Sequence, residues 1–391
     1  MQIYLVGGAV RDALLNLDIT DRDWVVVGAT PKEMLEQGFK RVGHDFPVFL
    51  HPDTGEEYAL ARSEKKTGEG YQGFSFDTHP QITLEEDLSR RDLTINAMAQ
   101  TAEGQLIDPF NGQKDLQNGL LRHVTLAFSE DPLRVLRIAR FKARFAQWGF
   151  RIAHGTHNLM KKMVSEGELA HLTPERVWLE CQKSLTTQQP AQFFRVLLGC
   201  HALAVVFPEI SEWFETAEAH QSPTEDKRGE YALQAMDAAA KAGYDSNVVL
   251  AALCRYTTVL EPKNGLTHLK MLSKRLKWPK KTAELCLLSA TYGNVFFDWK
   301  TLGTTEKLHF LEKTDAFRRQ SRFIELLQAC VVSGEPVKAQ TCLLGWQRDA
   351  DCCRQVPIEN LQKKHQGPAL GKAIKAFRMN ALMEIDSDNT D

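Results

Sequence analysis

The feature that most limits the fold is a change of hydrophobic period near residue 130. Before it, apolar residues come in short runs closed by glycine, proline or acidic residues. Ile3–Val6, Asp23–Val27, Val48–His51 and Glu57–Arg62 are strand-length runs. Gln105–Ile107 is expected to pair across the Glu103-Gly104 turn. Helical spacing marks Ala9–Leu17, the segment opened by Thr30-Pro31, and Leu93–Gln100 with Asp92 as its N-cap. After residue 130 the period becomes 3.6. A helix starts at Asp131-Pro132 and runs through Trp148, followed by Pro174–Leu185, Pro190–Leu198 and Gly229–Ala240. A chain of 391 residues built this way is a small α/β unit followed by an all-helical part.

Several classes are excluded. No apolar run approaches the ~18 residues of a membrane span. Met1–Gly8 has no signal-peptide pattern, so a cytoplasmic location is expected. The eight cysteines lie beyond residue 180 without zinc-ligand spacing and read as reduced, buried fillers. The formal charge of −2, from 48 basic and 50 acidic residues, gives no sign of a nucleic-acid binder. It is unevenly distributed. Five basic residues and no acid fall between 134 and 144, five more basic residues lie in Lys274–Lys281, and Glu384–Asp391 is an acidic end expected to fray.

Three constellations carry chemistry. The first is Gly7-Gly8-Ala9-Val10-Arg11-Asp12 followed by Asp21-Arg22-Asp23. Gly7-Gly8 reads as a tight turn, or as a turn admitting a phosphate to the backbone, with the following helix start and Arg11 favouring the anion. Asp21 and Asp23, two residues apart in a strand, share a face. Two adjacent carboxylates repel unless a cation lies between them, and Mg²⁺ suits such a pair completed by substrate phosphates. The second is Arg90-Arg91-Asp92-Leu93-Thr94-Ile95-Asn96, locally a capped helix with surface charge. The third is Glu130-Asp131-Pro132-Leu133-Arg134, then Arg137, Arg140 and Arg144 at helical steps of three, three and four. It reads as a solvated stripe or as one edge facing a ligand.

GGAVRD with DRD resembles the head of nucleotidyltransferases with a polymerase-beta-like palm, and within them the bacterial class II tRNA nucleotidyltransferases, the CCA-adding enzymes. The resemblance is strong over residues 1–210 and weaker beyond. It implies a catalytic head over residues 1–120 with a small mixed sheet, a helical neck over 121–210, a body over 211–300 and a tRNA-binding tail over 301–391. It implies Asp21 and Asp23 as the catalytic, Mg²⁺-holding pair, and nucleotide contacts from Gly8, Arg11, Arg91, Asp92 and Asn96, the last two near the ribose. Asp131 and Arg134 would read the base, while Arg137 and Arg140 would take phosphates or the primer end. Asp108–Gly112 with Asp115 resembles a hinge turn. Arg62–Lys66 with Gly68, Gly70 and Gly73 resembles the flexible loop associated with full CCA addition. The function implied is template-independent building of the tRNA 3′-terminal CCA from CTP and ATP by a monomer or weak dimer contacting the acceptor stem. A-only addition, poly(A) synthesis and a non-catalytic RNA-binding relative are the alternatives.

Base choice follows from donors and acceptors. An ionised Asp only accepts and Arg only donates. The amino groups of cytosine and adenine suit Asp131, whereas uracil and guanine present a carbonyl there, leaving two acceptors face to face. One departure from many relatives stands at Arg255-Tyr256, where a metal-dependent phosphohydrolase would carry a His-Asp pair. No such activity is expected, and His268 reads as a surface residue.

Overall fold

A computed structural model describes residues 1–19, 21–42, 48–66, 74–77, 79–214 and 228–388. By contact density the chain divides into two units, Met1–Cys181 with Gln192–Val206, and Gln182–Ala191 with Phe207–Asp391.

The first unit is organised by strands β1 (Gln2–Val6), β2 (Asp23–Val27), β3 (Lys40–Val42), β4 (Val48–Leu50), β5 (Glu57–Leu60), β6 (Ser63–Lys66), β7 (Phe74–Asp77), β8 (Ala99–Gln100) and β9 (Leu106–Ile107). Seven form one mixed sheet in the order β3-β4-β5-β2-β1-β8-β9, and β6 and β7 pair separately. β1 and β2 run antiparallel with Val6 opposite Asp23, while β2 and β5 run parallel with Asp23 opposite Glu57. Both faces are covered. Val25 packs with Val6, Leu88 and Ala97, while Val26 packs on the other face with Met34, Phe49 and Leu60. The alternation along β2 therefore serves two cores at once, which is why Trp24–Val27 is an unbroken apolar run.

The helices of this unit that bear on the site are α1 (Gly8–Leu14), α2 (Pro31–Glu36), α3 (Leu84–Ser89), α4 (Gly112–Gln117), α5 (Leu133–Phe145), α6 (His154–Ser165) and α7 (Pro174–Leu185), the last running on into the second unit. Thr30 and Thr83 start α2 and α3 with capping boxes, each side chain accepting from the third residue's N–H while Glu33 or Glu86 reaches back. The Thr30-Pro31 start is as expected from sequence.

Three expectations need correction. Leu93–Gln100 is not a helix. Thr94–Asn96 makes one 3₁₀ turn, capped by Leu93 rather than Asp92, and Ala99–Gln100 is β8. Leu93, Ile95, Ala97, Met98 and Ala99 are all fully buried, so the segment has no polar face from which a period could be read. The helix expected through Trp148 ends at Phe145 and tightens to 3₁₀ over Ala146–Trp148, where Gly149 takes a positive φ of 76°. The third is the acidic end, where the last helix, Pro368–Asp388, carries Glu384 and extends four residues past it.

The second unit contains helices and no strand among its described residues. Seven of the eight cysteines are buried and all are free thiols. Arg255 is buried, its guanidinium 4.8 Å from the ring centres of both Tyr256 and Phe297. His268 is one-third exposed and meets Glu261 at 2.8 Å.

Candidate nucleotide site

The sheet register brings the first constellation together. Because Val6 lies opposite Asp23, the strand that ends at Gly7-Gly8 ends where β2 begins, and only Asp23 of the expected pair is in that strand, Asp21 lying before it. Gly7 has a positive φ of 70°, and a Cβ there would stand 2.8 Å from Arg91 Nη1. That positive φ is a conformation residues with a side chain rarely adopt. Asp23 opens β2, Asp21 precedes it, and both are exposed on the wall of one cavity of about 720 Å³. That volume is in the range of small-molecule sites. Glu57, beside Asp23 on β5, lines the same wall.

The other expected site residues line this cavity too, though their side chains differ in commitment. Arg11 is buried. Its Nε and Nη2 donate to the Asp12 carboxylate at 2.8 and 3.0 Å, its Nη1 donates to Asn96 Oδ1, and its guanidinium lies over Phe141 and Phe145. It therefore braces the wall instead of reaching outward. α1 has only seven residues, so few peptide dipoles add at its start, and the anion-favouring helix end expected there is weak.

Asp92 is buried and its acceptors are filled. Oδ1 accepts from the Leu93 N–H and the Asn96 amide, both at 2.9 Å, and Oδ2 accepts from Arg137 Nε at 2.7 Å. Burial opposes its ionisation, but Arg137 and the Asn96 amide outweigh it and hold the carboxyl well below the usual carboxylate range. Arg91 is held by the buried Asp87 at 3.2 Å. Burial likewise opposes ionisation of Asp87, and Arg90 and Arg91 reverse the balance.

α5 lines the same cavity. Arg137 and Arg140 are each pinned through Nε, to Asp92 and to Glu180 Oε2 at 2.5 Å. Neither donates from its terminal nitrogens to any described group. Such side-on anchoring fixes the plane of a guanidinium and presents its fork to the cavity. Arg134 is different. Its terminal nitrogens donate to the Ala127 and Arg90 carbonyls at 2.7 and 2.6 Å. Asp131 accepts from the Leu133 N–H, and its other oxygen accepts from Arg176 at 2.9 Å. Gly8 lies at the turn, with Arg11 Nη2 3.4 Å from where its Cβ would be.

Sequence reasoning gave no site role to Asp12, Glu57, Arg62, Arg90, Arg144 or Arg176, although Asp12, Arg90 and Arg144 stand in its three constellations. Arg176 and Glu180 had a usable signal. They are four apart on α7, one turn of one face, and of opposite sign to Asp131 and Arg140, which they meet. Altogether the described wall holds nine arginines, no lysine and six carboxylates. The excess of three positive charges suits a polyanion. Of the loop residues, Arg62–Lys66 are described, while Gly68, Gly70 and Gly73 lie outside the described residues. Among those described, no three His, Cys, Asp or Glu side chains form a ready metal cage.

The poly A polymerase head domain model matches residues 3–122, and a second model, the probable RNA and SrmB-binding site of polymerase A, matches residues 149–214. A CCA-adding enzyme of Coxiella burnetii is 43% identical over 393 residues, covering 99% of this chain and 96% of the relative. Among solved structures, a CCA-adding enzyme in complex with ATP has a TM-score of 0.69 at 23% identity, covering 97% of this chain and 86% of that one. The Thermotoga maritima CCA-adding enzyme complexed with tRNA has a TM-score of 0.67 at 23% identity, covering 99% and 91%. These two show a shared fold.

Proposed function

This chain belongs to the family of the CCA-adding enzymes, and on that premise we propose that the cavity is where it adds the 3′-terminal CCA of tRNA from CTP and ATP. The observation that carries the reading is the wall itself: two exposed aspartates and a bank of side-on anchored arginines lining one cavity.

Asp21 and Asp23 offer hard oxygen donors and leave coordination positions for phosphate oxygens and water, which fits Mg²⁺. When bound, that ion would supply Lewis acidity at the reacting phosphate. The rest of the chemistry belongs to positioning. Arg137 and Arg140 present forks to phosphate or primer oxygens, and the bracing of Asp92 by Asn96 and of Arg91 by Asp87 keeps the sugar side rigid. Asp131, one-quarter exposed, accepts the amino group of C or A and meets a carbonyl of U or G with a second acceptor. Arg134 has two of its five N–H donors on backbone carbonyls, which sets the plane of the base-reading edge. Arg176 steadies Asp131 when no base is there. In the second unit, the exposed cations around Lys280 and Arg318 take the RNA backbone, and Arg255-Tyr256 performs no phosphohydrolysis. Metal-stimulated cleavage of 2′,3′-cyclic nucleotides would contradict that last point.

The test is incubation with tRNA ending before CCA, with CTP, ATP and Mg²⁺. Three added residues are expected. A single A, a long A tail, or no extension would each point to one of the alternatives.

A further inference from the structure

Asp12 carries two guanidinium groups. Arg11 takes it through Nε and Nη2, and Arg144 Nη2 donates to Asp12 Oδ2 at 2.9 Å. Two guanidinium groups thus share the one Asp12 carboxylate near Gly7-Gly8. Burial, and Arg144 next to it, pull the Arg11 guanidinium below its ordinary value even against Asp12. The buried member of the pair is Arg11, which leaves Arg144 as the one an arriving anion can reach.

The two arginines are not equivalent. Arg11 has three of its donors on Asp12 and Asn96 and is 4% exposed at its side chain. The Arg144 side chain is 38% exposed on the cavity wall and makes a single hydrogen bond, so its Nε and Nη1 donate to no described group. It lies on α5 two turns beyond Arg137, about 10 Å along the axis. Asp131 sits just before α5 and Arg144 near its end, so the base-reading and turn-facing ends of the cavity are joined by one helix.

We propose that Arg144 binds the β- and γ-phosphates of the incoming CTP or ATP and holds the pyrophosphate as it leaves. In that step the bond from the primer 3′-oxygen to the α-phosphorus forms as the bridge to the β-phosphate breaks. The electron pair departs on pyrophosphate and the hydroxyl proton goes to water. The Arg144 fork meets the oxygens on which that charge appears, and Asp12 keeps the fork in place.

The inference rests on the nucleotide reading above, and nucleotide binding separates the two. Full-length wild type, Arg144→Ala and Arg144→Lys are titrated with CTP, ATP and CMP in Mg²⁺ buffer. Arg144→Ala should weaken CTP and ATP alike by about 10- to 100-fold, the range for a charged hydrogen bond, and leave CMP unchanged. Pyrophosphate should lose potency as a product inhibitor by a similar factor. Arg144→Lys, which keeps the charge and the pair with Asp12, should lose only a few-fold, and stands in if the alanine variant does not fold. Equal losses for CMP and CTP, or unchanged CTP and ATP binding in both variants, would overturn the role of Arg144 alone. A wild type that binds neither triphosphate would overturn the nucleotide reading together with it.

Discussion

The two units both carry clustered cations, and they hold them in opposite ways. In the cavity of the first unit, Arg137 and Arg140 are locked through Nε to carboxylates whose side chains are 6% and 3% exposed. On the second unit, Lys280 and Arg318 are 88% and 85% exposed, at 4.0 Å from Glu284 and 2.8 Å from Asp315. The first arrangement loses its side-chain entropy during folding and can present a fixed geometry to a reacting phosphate. The second keeps its side chains solvated and contributes field more than geometry. Chemistry needs the former, and attraction of an RNA backbone needs only the latter.

The sharpest way to break this contrast is at the aspartates. Asp21→Ala should lower nucleotide incorporation by about 1,000-fold or more while tRNA affinity stays within about two-fold, as read by single-turnover kinetics and filter binding. Residual turnover near wild type would remove the metal assignment. Next in size is the anchoring itself. Glu180→Gln leaves Arg140 without its carboxylate, and kcat/KM should fall on the order of 100-fold with a lower thermal midpoint. A variant with normal kinetics would show that side-on anchoring is dispensable.

Asp131→Ala tests geometry of another kind. Selection against UTP and GTP should weaken by about 10- to 100-fold, read as misincorporation, with CTP turnover less affected. On the second unit, the double change Lys280→Ala with Arg318→Ala should weaken tRNA binding several-fold. It should also reduce the salt dependence by about two in the log–log slope, with KM for CTP unchanged. A change in CTP kinetics would mean that these cations act on geometry after all.

The smallest effect concerns pH. The folded carboxyl of Asp92 is depressed below its unfolded value of about 3.9, so its stabilisation is complete above that value and lost as pH falls further. The difference in melting temperature between wild type and Asp92→Asn should stay flat from about pH 5 to 8 and shrink below about pH 4.

Much of the head was legible because its residues speak locally. β2 spans the expected Asp23–Val27, and the Thr30 cap is where its sequence places it. Leu93–Gln100 was not legible because complete burial erases periodicity. The brace of Arg11 was hidden for a different reason. A sequence shows that Arg11 carries donors, but not that its neighbour Asp12 and the distant Asn96 absorb them. The side-on pins at Asp92 and Glu180 join residues 45 and 40 positions apart, and nothing in local pattern announces a partner at that distance.

Among the described residues the wall has nine arginines and no lysine, which has one more consequence. A lysine-lined site would begin to discharge as the medium turned alkaline, and its amines would be open to acylation. Guanidinium does neither under ordinary cellular conditions. Acetylation would therefore remove charge from exposed lysines such as Lys280 and leave the arginine-lined cavity as positive as before. If the proposed roles hold, such modification would weaken RNA attachment and spare the nucleotide site.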